Sequence, residues 1–314
     1  MRIRNCIVRF CFILSAVSLF GQETQKDTSY TVNSSFIKYK KKFPKIKIVV
    51  PKEFSNVSKI ENLTYKTIEN RNLSLDAFIS TTKNNPAVIL IHGGGWKSGD
   101  KNHMKPLAQH IASKGYSCFT IEYRLSDEAK YPEAIYDIKE AIQFIKFNAN
   151  KFNIDRTKVA ILGASSGAQM ATLIGTTNNN SNFEINSNFK TTSTIQAIIN
   201  LDGILAFNHP ESKEGKVASL WLGGTFEEKP AVWKEASALT HTNKNTPPIL
   251  FINSQYERFH AGRDDMINIL DKNKIYSQVE TIINSPHTFW LFHPYFKETV
   301  NYITQFLDIT FKIN

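Results

Sequence analysis

The sequence predicts an α/β fold in which a mostly parallel, doubly wound sheet carries helices on both faces. Short apolar runs alternate along the chain with segments of helical periodicity, and this alternation is typical of parallel strands joined by crossover helices. A serine between two glycines, at residues 163–167, separates one apolar run from a helical segment. Such sheets bind their ligands at the carboxyl ends of the strands, so this serine lies where a functional site is expected.

The predicted elements follow one another from residue 46 to residue 307. Early strands, in an antiparallel arrangement, are predicted at 46–50, 60–65 and 73–79. Later apolar runs predict strands at 87–91, 117–123, 159–162, 195–201, 249–253 and 279–283. Between Ala134 and Ile145, apolar residues recur at steps of three and four, which predicts a long amphipathic helix. The other predicted helices are 104–114, 168–174, 264–272 and 295–307.

A long excursion, residues 203–248, follows the sixth core strand. It contains the aromatic residues Phe207, Trp221, Phe226 and Trp233. Aromatic side chains bury large apolar areas, so they predict either a small core of the excursion's own or a cap that lines a substrate cleft. The two interpretations are compatible.

Size and composition indicate one large globular domain, which we place at residues 45–314. Of the 314 residues, 41% are hydrophobic and 21% are charged, which argues against disorder. The formal net charge is +10, and six lysines form a basic cluster at 38–47. We interpret residues 22–44 as a polar, basic linker in solvent; attraction to an acidic polysaccharide or another anionic surface is the alternative. Without a recognisable binding module, nucleic acid is not an expected partner.

The N-terminus has the pattern of an export signal. Basic residues precede an apolar stretch at 10–20, and they are Arg2, Arg4 and Arg9. The stretch is shorter than the roughly 20 residues that a membrane-spanning helix needs. We therefore predict a signal peptide at 1–21 and a periplasmic or secreted protein; an uncleaved anchor is the alternative. Cleavage would leave one cysteine, Cys118, in an apolar run where a buried strand residue is expected.

Residues 163–167, Gly-Ala-Ser-Ser-Gly, match the nucleophile-elbow pattern Gly-x-Ser-x-Gly. The turn between strand and helix is so sharp that only very small side chains fit at both flanking positions. It lifts the hydroxyl of Ser165 above the sheet and directs the next backbone N–H, that of Ser166, at the reacting oxygen. Ser165 is therefore the candidate nucleophile.

A glycine run, His-Gly-Gly-Gly-Trp at 92–96, directly follows a predicted strand. A serine hydrolase needs at least two fixed N–H donors for the oxyanion of its tetrahedral intermediate, and glycines let the backbone come that close. Gly94 and Gly95, with the N–H of Ser166, form the candidate oxyanion hole. The lysine and the serine or threonine of a phosphate-binding loop are not in place. We expect His92 to brace the loop.

The candidate general base is His287, because the base of this machinery follows the last strand. The other late histidines are His241, His260 and His293. Two residues are candidates for the acid that orients the imidazole. Asp202 ends a predicted buried strand, where a carboxylate is costly unless it is paired. Glu257 is the first carboxylate after the strand at 249–253. Asp202 ranks slightly ahead, and both stay open.

The order of glycine loop, elbow and late histidine resembles the α/β-hydrolase superfamily. Within it, the chain is most similar to secreted esterases of the bifunctional xylan esterase and feruloyl esterase (BD-FAE) type. The matching segments are 92–96, 123–125, 131–134, 163–167 and 286–292. The similarity covers roughly residues 60–306. One departure is that the aspartate usual after the penultimate strand, in a Gly-x-x-Asp motif, is missing.

The resemblance implies a serine carboxylesterase that needs no cofactor or metal. It would hydrolyse short acyl esters, acetyl or feruloyl, on plant or algal polysaccharides. Trp96 and Trp290, with the aromatics of the excursion, are expected to frame the sugar or acyl group. The alternatives are a lipase or peptidase on the same fold, or a catalytically silent binding protein. A silent protein would be expected to lack the serine, the histidine or the glycine loop, and all three are present.

Overall fold

The computed structural model describes residues 27–185 and 187–313. The predicted signal peptide, 1–21, lies outside these residues. In the described part the strands are β1 (Lys47–Ile48), β2 (Val57–Ile68), β3 (Arg71–Ser80), β4 (Asn85–Ile91), β5 (Ser117–Ile121), β6 (Ile154–Ala164), β7 (Ala197–Leu201), β8 (Ile249–Asn253), β9 (Ser277–Thr281) and β10 (Phe292–His293). The α-helices are α1 (Val32–Lys40), α2 (Lys105–Ala112), α3 (Glu133–Phe147), α4 (Ser166–Thr176), α5 (Gly215–Leu222), α6 (Pro230–Glu235), α7 (Ala238–His241), α8 (Arg263–Lys272) and α9 (Tyr295–Phe311).

Strands β2 to β9 form one mixed, mostly parallel sheet in the order β2-β3-β5-β4-β6-β7-β8-β9. β3 pairs antiparallel with both β2 and β5, and the neighbours from β5 to β9 are all parallel. Strands β4, β5, β7 and β8 are buried along their whole length. Parallel strands that are covered on both faces have this burial, and their continuous apolar sequences made them predictable.

Helices cover both faces of the sheet and create two apolar cores. One core packs α3, α4 and α8 against the sheet, and the other packs α2 and α9. β4 contributes Ile89 to the first core and Leu90 to the second, because successive strand residues point to opposite faces. Cys118 is a buried, unpaired thiol in the second core, as predicted. Among the helices of the described residues, none is long and apolar enough to cross a membrane.

The excursion at 203–248 leaves the sheet after β7, its sixth strand in chain order, and contains α5, α6 and α7. Its aromatic rings pack on one another. The ring centroid of Phe207 lies 6.1 Å from that of Trp221 and 5.9 Å from that of Trp233. The excursion therefore contributes buried aromatics of its own, and these are continuous with the core of α3 and α4.

Residues 32–40 form helix α1, so the described part of the segment predicted as a linker, 27–44, is folded against the protein and not free in solvent. The side chains that pack this segment against the core of α2 and α9 are Val32, Phe36, Tyr39 and Phe43. They are spaced four, three and four residues apart, which is the apolar stripe of a helix. Because lysines lie between these residues, the segment has a polar composition overall, and the apolar stripe was not recognised from it. β1, inside the run predicted as the first strand, pairs with β10 in a separate two-stranded sheet.

Candidate active site

Ser165 lies in the tight turn between β6 and α4, with φ at 55° and ψ at −121°. A positive φ is strained for a residue that carries a side chain. Packing requires the glycines on both sides. A Cβ on Gly163 would lie 2.1 Å from the carbonyl oxygen of Gly167, and a Cβ on Gly167 would lie 2.4 Å from that of Ile91. The turn has the sharpness that the sequence pattern predicts.

Gly163→Ala is expected to lower the free energy of unfolding by about 1–3 kcal/mol or more, because the new methyl group meets backbone atoms. Urea unfolding followed by circular dichroism measures the change. Gly224→Ala is the matched control, since its Cβ would meet only side-chain atoms of Glu228 and Lys229, at 3.1 to 3.2 Å. Equal unfolding midpoints for the two variants would contradict the packing argument.

Three side chains from separate loops form one hydrogen-bonded series beside this turn. Oγ of Ser165 lies 2.9 Å from Nε2 of His287, and Nδ1 of His287 lies 2.8 Å from Oδ2 of Asp202. A carboxylate only accepts, so Nδ1–H donates to Asp202 and Nε2 accepts from the serine hydroxyl. The three residues follow the parallel strands β6, β7 and β9 at their carboxyl ends. The arrangement can take a proton from Ser165.

Asp202, and not Glu257, is the carboxylate in contact with His287. Asp202 is 1% exposed, and its Oδ1 accepts a hydrogen bond from the backbone N–H of Ser254 at 2.8 Å. Glu257 begins a short 3-10 helix and is exposed to solvent. Both oxygens of the Asp202 carboxylate are thus hydrogen-bonded, which is what a buried charge requires. Of the two acids that the sequence left open, the fold brings only Asp202 to the imidazole.

The glycine loop after β4 lies beside Ser165. Gly95 and Ser166 line the same small cavity as Ser165, and Gly94 and Gly95 line the wider cleft that opens next to it. Ser166 is the first residue of α4, so its N–H has no acceptor within the helix and lies at the positive end of the helix dipole. The backbone of the three candidate donor residues therefore lies close to Ser165.

His92 is buried and contacts the backbone of the glycine loop. Its ring nitrogen Nδ1 lies 2.9 Å from the carbonyl oxygen of Gly93, and its ring stacks on Tyr123 with the centroids 4.4 Å apart. The hydroxyl of Tyr123 donates to the backbone carbonyl of His92 at 2.8 Å. His92 thus has the bracing position that the sequence predicts.

Aromatic rings hold the imidazole of His287 from two directions. Phe259 stacks on it, with the centroids 3.4 Å apart and the planes at 10°. Trp290 meets it edge-on, at 5.5 Å and 85°. The guanidinium carbon of Arg258 lies 4.3 Å from the ring centroid of Phe259. Sequence reasoning missed Phe259, because only the fold brings its loop to the loop of His287.

Trp96 and Trp290 do not offer open ring faces to a substrate, and Trp290 lines neither the small cavity nor the wider cleft, which corrects its predicted contact with substrate. Each is only 2% exposed. Trp96 stacks on Trp221 at 5.3 Å, and its Nε1–H donates to Oε1 of Gln169 at 2.9 Å. It reaches the site only as part of the wall of the small cavity. Trp290 packs against His287, so both tryptophans support the site from inside the protein.

Two spaces of different size adjoin Ser165. The smaller is a cavity with a volume of only about 20 Å³. Its walls include Gly95, Trp96, Ile204 and Phe259. The larger is an open cleft of about 380 Å³, bounded in part by α1. The site can take a very small group on one side of the serine and a much larger one on the other.

Comparison with known proteins identifies the family. The BD-FAE family model matches residues 75–278, well over half of the chain. The chain belongs to the BD-FAE family. Esterase LipC of Mycobacterium tuberculosis is 24% identical to this BD-FAE protein over 210 residues, which are 65% of the chain and 50% of LipC. The chain spans about half the length of the curated relatives it matches.

Solved structures have the same fold as this BD-FAE protein. A truncated form of a carbohydrate esterase from gut microbiota matches with a TM-score of 0.70 and 22% identity, over 82% of this chain and 99% of that chain. A bifunctional GH43-CE protein of Bacteroides eggerthii matches with a TM-score of 0.69 and 20% identity, over 82% and 38% of the two chains. These matches confirm the predicted α/β-hydrolase fold.

Proposed function

We propose that this BD-FAE protein is a serine esterase that hydrolyses short acyl esters on plant or algal polysaccharides. The observation that carries the proposal is the hydrogen-bonded series Ser165–His287–Asp202 at a nucleophile elbow. A base within hydrogen-bond reach of a serine, itself oriented by a buried carboxylate, is the arrangement that activates a hydroxyl. The curated relatives, which are named as esterases and carboxylic ester hydrolases, support the same reaction.

In this mechanism Nε2 of His287 takes the proton of Ser165 while Oγ attacks the ester carbonyl carbon. The carboxylate of Asp202 stabilises the imidazolium that forms. Backbone N–H groups bind the negative charge on the carbonyl oxygen; the candidates are those of Gly94, Gly95 and Ser166. The alcohol leaves with the proton from His287, and the acyl group stays on Ser165. Water then attacks the acyl-enzyme with His287 as its base. The carboxylic acid is released, and Ser165 regains its proton from His287.

A saccharide as the alcohol is supported by the comparisons and by the shape of the site. The two structural neighbours are described as a carbohydrate esterase and as a GH43-CE bifunctional protein. The open cleft of about 380 Å³ leaves room for a bulky alcohol beside Ser165. The predicted signal peptide fits a polymer substrate outside the cytoplasm, so we propose that the protein works in the periplasm or after secretion.

The small cavity favours acetyl over feruloyl as the acyl group. It borders Ser165 and the candidate oxyanion donors of Gly95 and Ser166, so a small acyl group on the serine would lie in it with the carbonyl oxygen toward those donors. Its space of about 20 Å³ is little more than one water-sized sphere. A methyl group fits such a space, whereas a feruloyl ring does not. Two of the wall side chains, Trp96 and Ile204, are buried, at 2% and 4% exposed.

Hydrolysis of p-nitrophenyl esters tests the acyl preference. We expect kcat/KM for the acetate to exceed that for the butyrate by at least about tenfold, and a feruloyl ester to be slower still. Ile204→Ala opens the cavity and is expected to bring the two values closer together. Ile174→Ala makes the same side-chain truncation at a fully buried position in α4 that does not line the cavity. It should therefore keep the wild-type ratio of kcat/KM for acetate to kcat/KM for butyrate. A wild-type preference for butyrate or ferulate would refute the assignment of acetyl.

A further inference from the structure

The N-terminal segment 27–48, here called the arm, is fixed against two loops of the active site. The hydroxyl of Ser35 lies 2.7 Å from Oγ1 of Thr288, the residue after the proposed base, and this contact is buried. The backbone N–H of Tyr30 donates to Oγ of Ser98 at 2.9 Å, just after the glycine loop. The arm is thus held by the loops that carry the proposed base and the proposed oxyanion donors.

The arm forms one wall of the open cleft. The arm residues that line it are Ser29, Tyr30, Ser34, Ser35, Lys38 and Tyr39. The glycine loop, Glu214 and Arg258 also line this cleft, together with Ser165. If the small cavity takes the acyl group, the alcohol part of the ester lies in this cleft and meets the arm. The arm precedes residues 75–278, so this wall lies outside the stretch that the family model matches.

The lining of the cleft is basic. Its charged residues are Lys38, Lys97, Glu214 and Arg258. Lys97 is paired with Asp27 at 3.0 Å, and Arg258 is paired with Glu214 at 3.2 Å. Lys38 is exposed and forms no ion pair within the described residues. No carboxylate of the described residues pairs with it, so its positive charge can attract an anionic ligand in the cleft although its ammonium group also lies over the ring of Tyr39.

Tyr39 adds a ring and a hydroxyl next to this charge. The ammonium nitrogen of Lys38 lies 5.2 Å from the ring centroid of Tyr39. Burial is the main cause that raises the pKa of Tyr39 to about 12, so its hydroxyl stays protonated at neutral pH and can donate a hydrogen bond. Tyr39 is half-buried against the core of α2 and α9 but also lines the cleft. The part of its side chain that faces the cleft can contact a sugar ring, and the adjacent ammonium group suits an anionic substituent on that sugar.

We propose that the arm forms a subsite for the alcohol part of the ester, and that Lys38 makes this subsite selective for an acidic saccharide. The proposal rests on the esterase function proposed above. The anionic group is a carboxylate or a sulfate on the sugar, since either would pair with an ammonium group. Charges at the rim of a binding site act on specificity and association more than on affinity, so the expected effect is on substrate choice.

The experiment compares Lys38→Ala and Lys38→Glu with Lys40→Ala in the full-length protein. Lys40 is also an exposed lysine of α1, but it donates to the backbone carbonyls of Pro44 and Ile46 and does not line the cleft. The substrates are acetylated oligosaccharides of equal length: an oligogalacturonide with carboxylates, a sulfated oligosaccharide and a neutral xylo-oligosaccharide. The readout is the ratio of kcat/KM for each acidic substrate to that for the neutral one, at low and at high salt.

The wild type is expected to prefer an acidic substrate by roughly three- to tenfold at low salt, and the preference should shrink as salt screens the charges. Lys38→Ala should bring the ratio near one, and Lys38→Glu should bring it below one. Lys40→Ala should keep the wild-type ratio. The acidic substrate with the higher ratio identifies the recognised group.

A wild-type ratio of one for both acidic substrates would overturn the subsite, as would an equal loss of preference in Lys40→Ala. Failure of the esterase function would look different. The wild type would then release no acetate from any of the substrates, p-nitrophenyl acetate included, and the subsite would fall with it.

Discussion

Ser165→Ala is expected to lower kcat for p-nitrophenyl acetate by about 10⁴-fold or more, because the variant lacks the hydroxyl on which the acyl-enzyme is proposed to form. The hydroxyl is the only part of the side chain that is lost. Alanine has a Cβ just as serine does, so the strain of the positive φ at this position should be the same in the variant. The folded state should therefore persist, and activity should fall to the level given by the backbone donors and binding alone.

A fluorophosphonate probe provides the second readout for this variant. It reacts covalently with an activated serine, so the wild type should be labelled and Ser165→Ala should not. Ser219→Ala is the control, because Ser219 lies half-buried on α5, away from the site, and its hydroxyl donates to the backbone carbonyl of Gly215. A Ser165→Ala protein that is still labelled, or that keeps a tenth of the wild-type kcat, would rule out Ser165 as the nucleophile. An unlabelled, inactive wild type would instead favour a silent binding protein.

Asp202→Asn is expected to lower kcat by roughly 10³- to 10⁴-fold through the tautomer of His287. The backbone N–H of Ser254 donates to Oδ1 of Asp202, so the amide oxygen of the asparagine would take that position. Its NH₂ group would then face Nδ1 of His287, which sits 2.8 Å from the other oxygen in the wild type. Nδ1 would have to accept and Nε2 would carry the proton. An imidazole in that tautomer cannot take the proton of Ser165.

Glu257→Gln is the matched control for this prediction, since it makes the same carboxylate-to-amide change at the other acid that the sequence allowed. Glu257 is exposed and has no contact with His287 among the described residues. We expect its kcat to stay within about twofold of the wild type. A large loss in Glu257→Gln together with normal activity in Asp202→Asn would reverse the assignment of the acid. Thermal unfolding of both variants separates loss of chemistry from loss of fold.

Local sequence patterns were sufficient to predict most strands of the sheet and some residues of the candidate site. Strands β4, β5, β7 and β8, and the second half of β6, are mostly apolar runs because they are covered on both faces. The elbow at Ser165 was equally visible, because the two glycines that the turn requires stand at fixed positions, two residues before and two residues after the serine. Helix α1 was missed. Its apolar stripe lies among lysines, and the core that makes the stripe stable comes from the other end of the chain.

Contacts between distant segments could not be derived from spacing. Asp202 and His287 are 85 residues apart, and whether Asp202 or Glu257 meets the imidazole depends on how the loops after β7 and β8 turn. Trp96 and Trp290 are aromatic residues next to functional motifs, which is why they suggested substrate contact. Their burial follows from the aromatics of the excursion and from the packing of α9, neither of which is local in sequence.

By itself, the sequence of this protein predicted the strands of the large sheet and the helices that cover it, the nucleophile turn, the glycine loop and the histidine of the site. These depend on periodicity and on steric limits within a few residues. Only the tertiary structure decided which carboxylate orients His287, that Phe259 stacks on it, and that the arm bounds the cleft. Those features depend on long-range packing, whose free energy is gained only once segments far apart in the chain have been brought together.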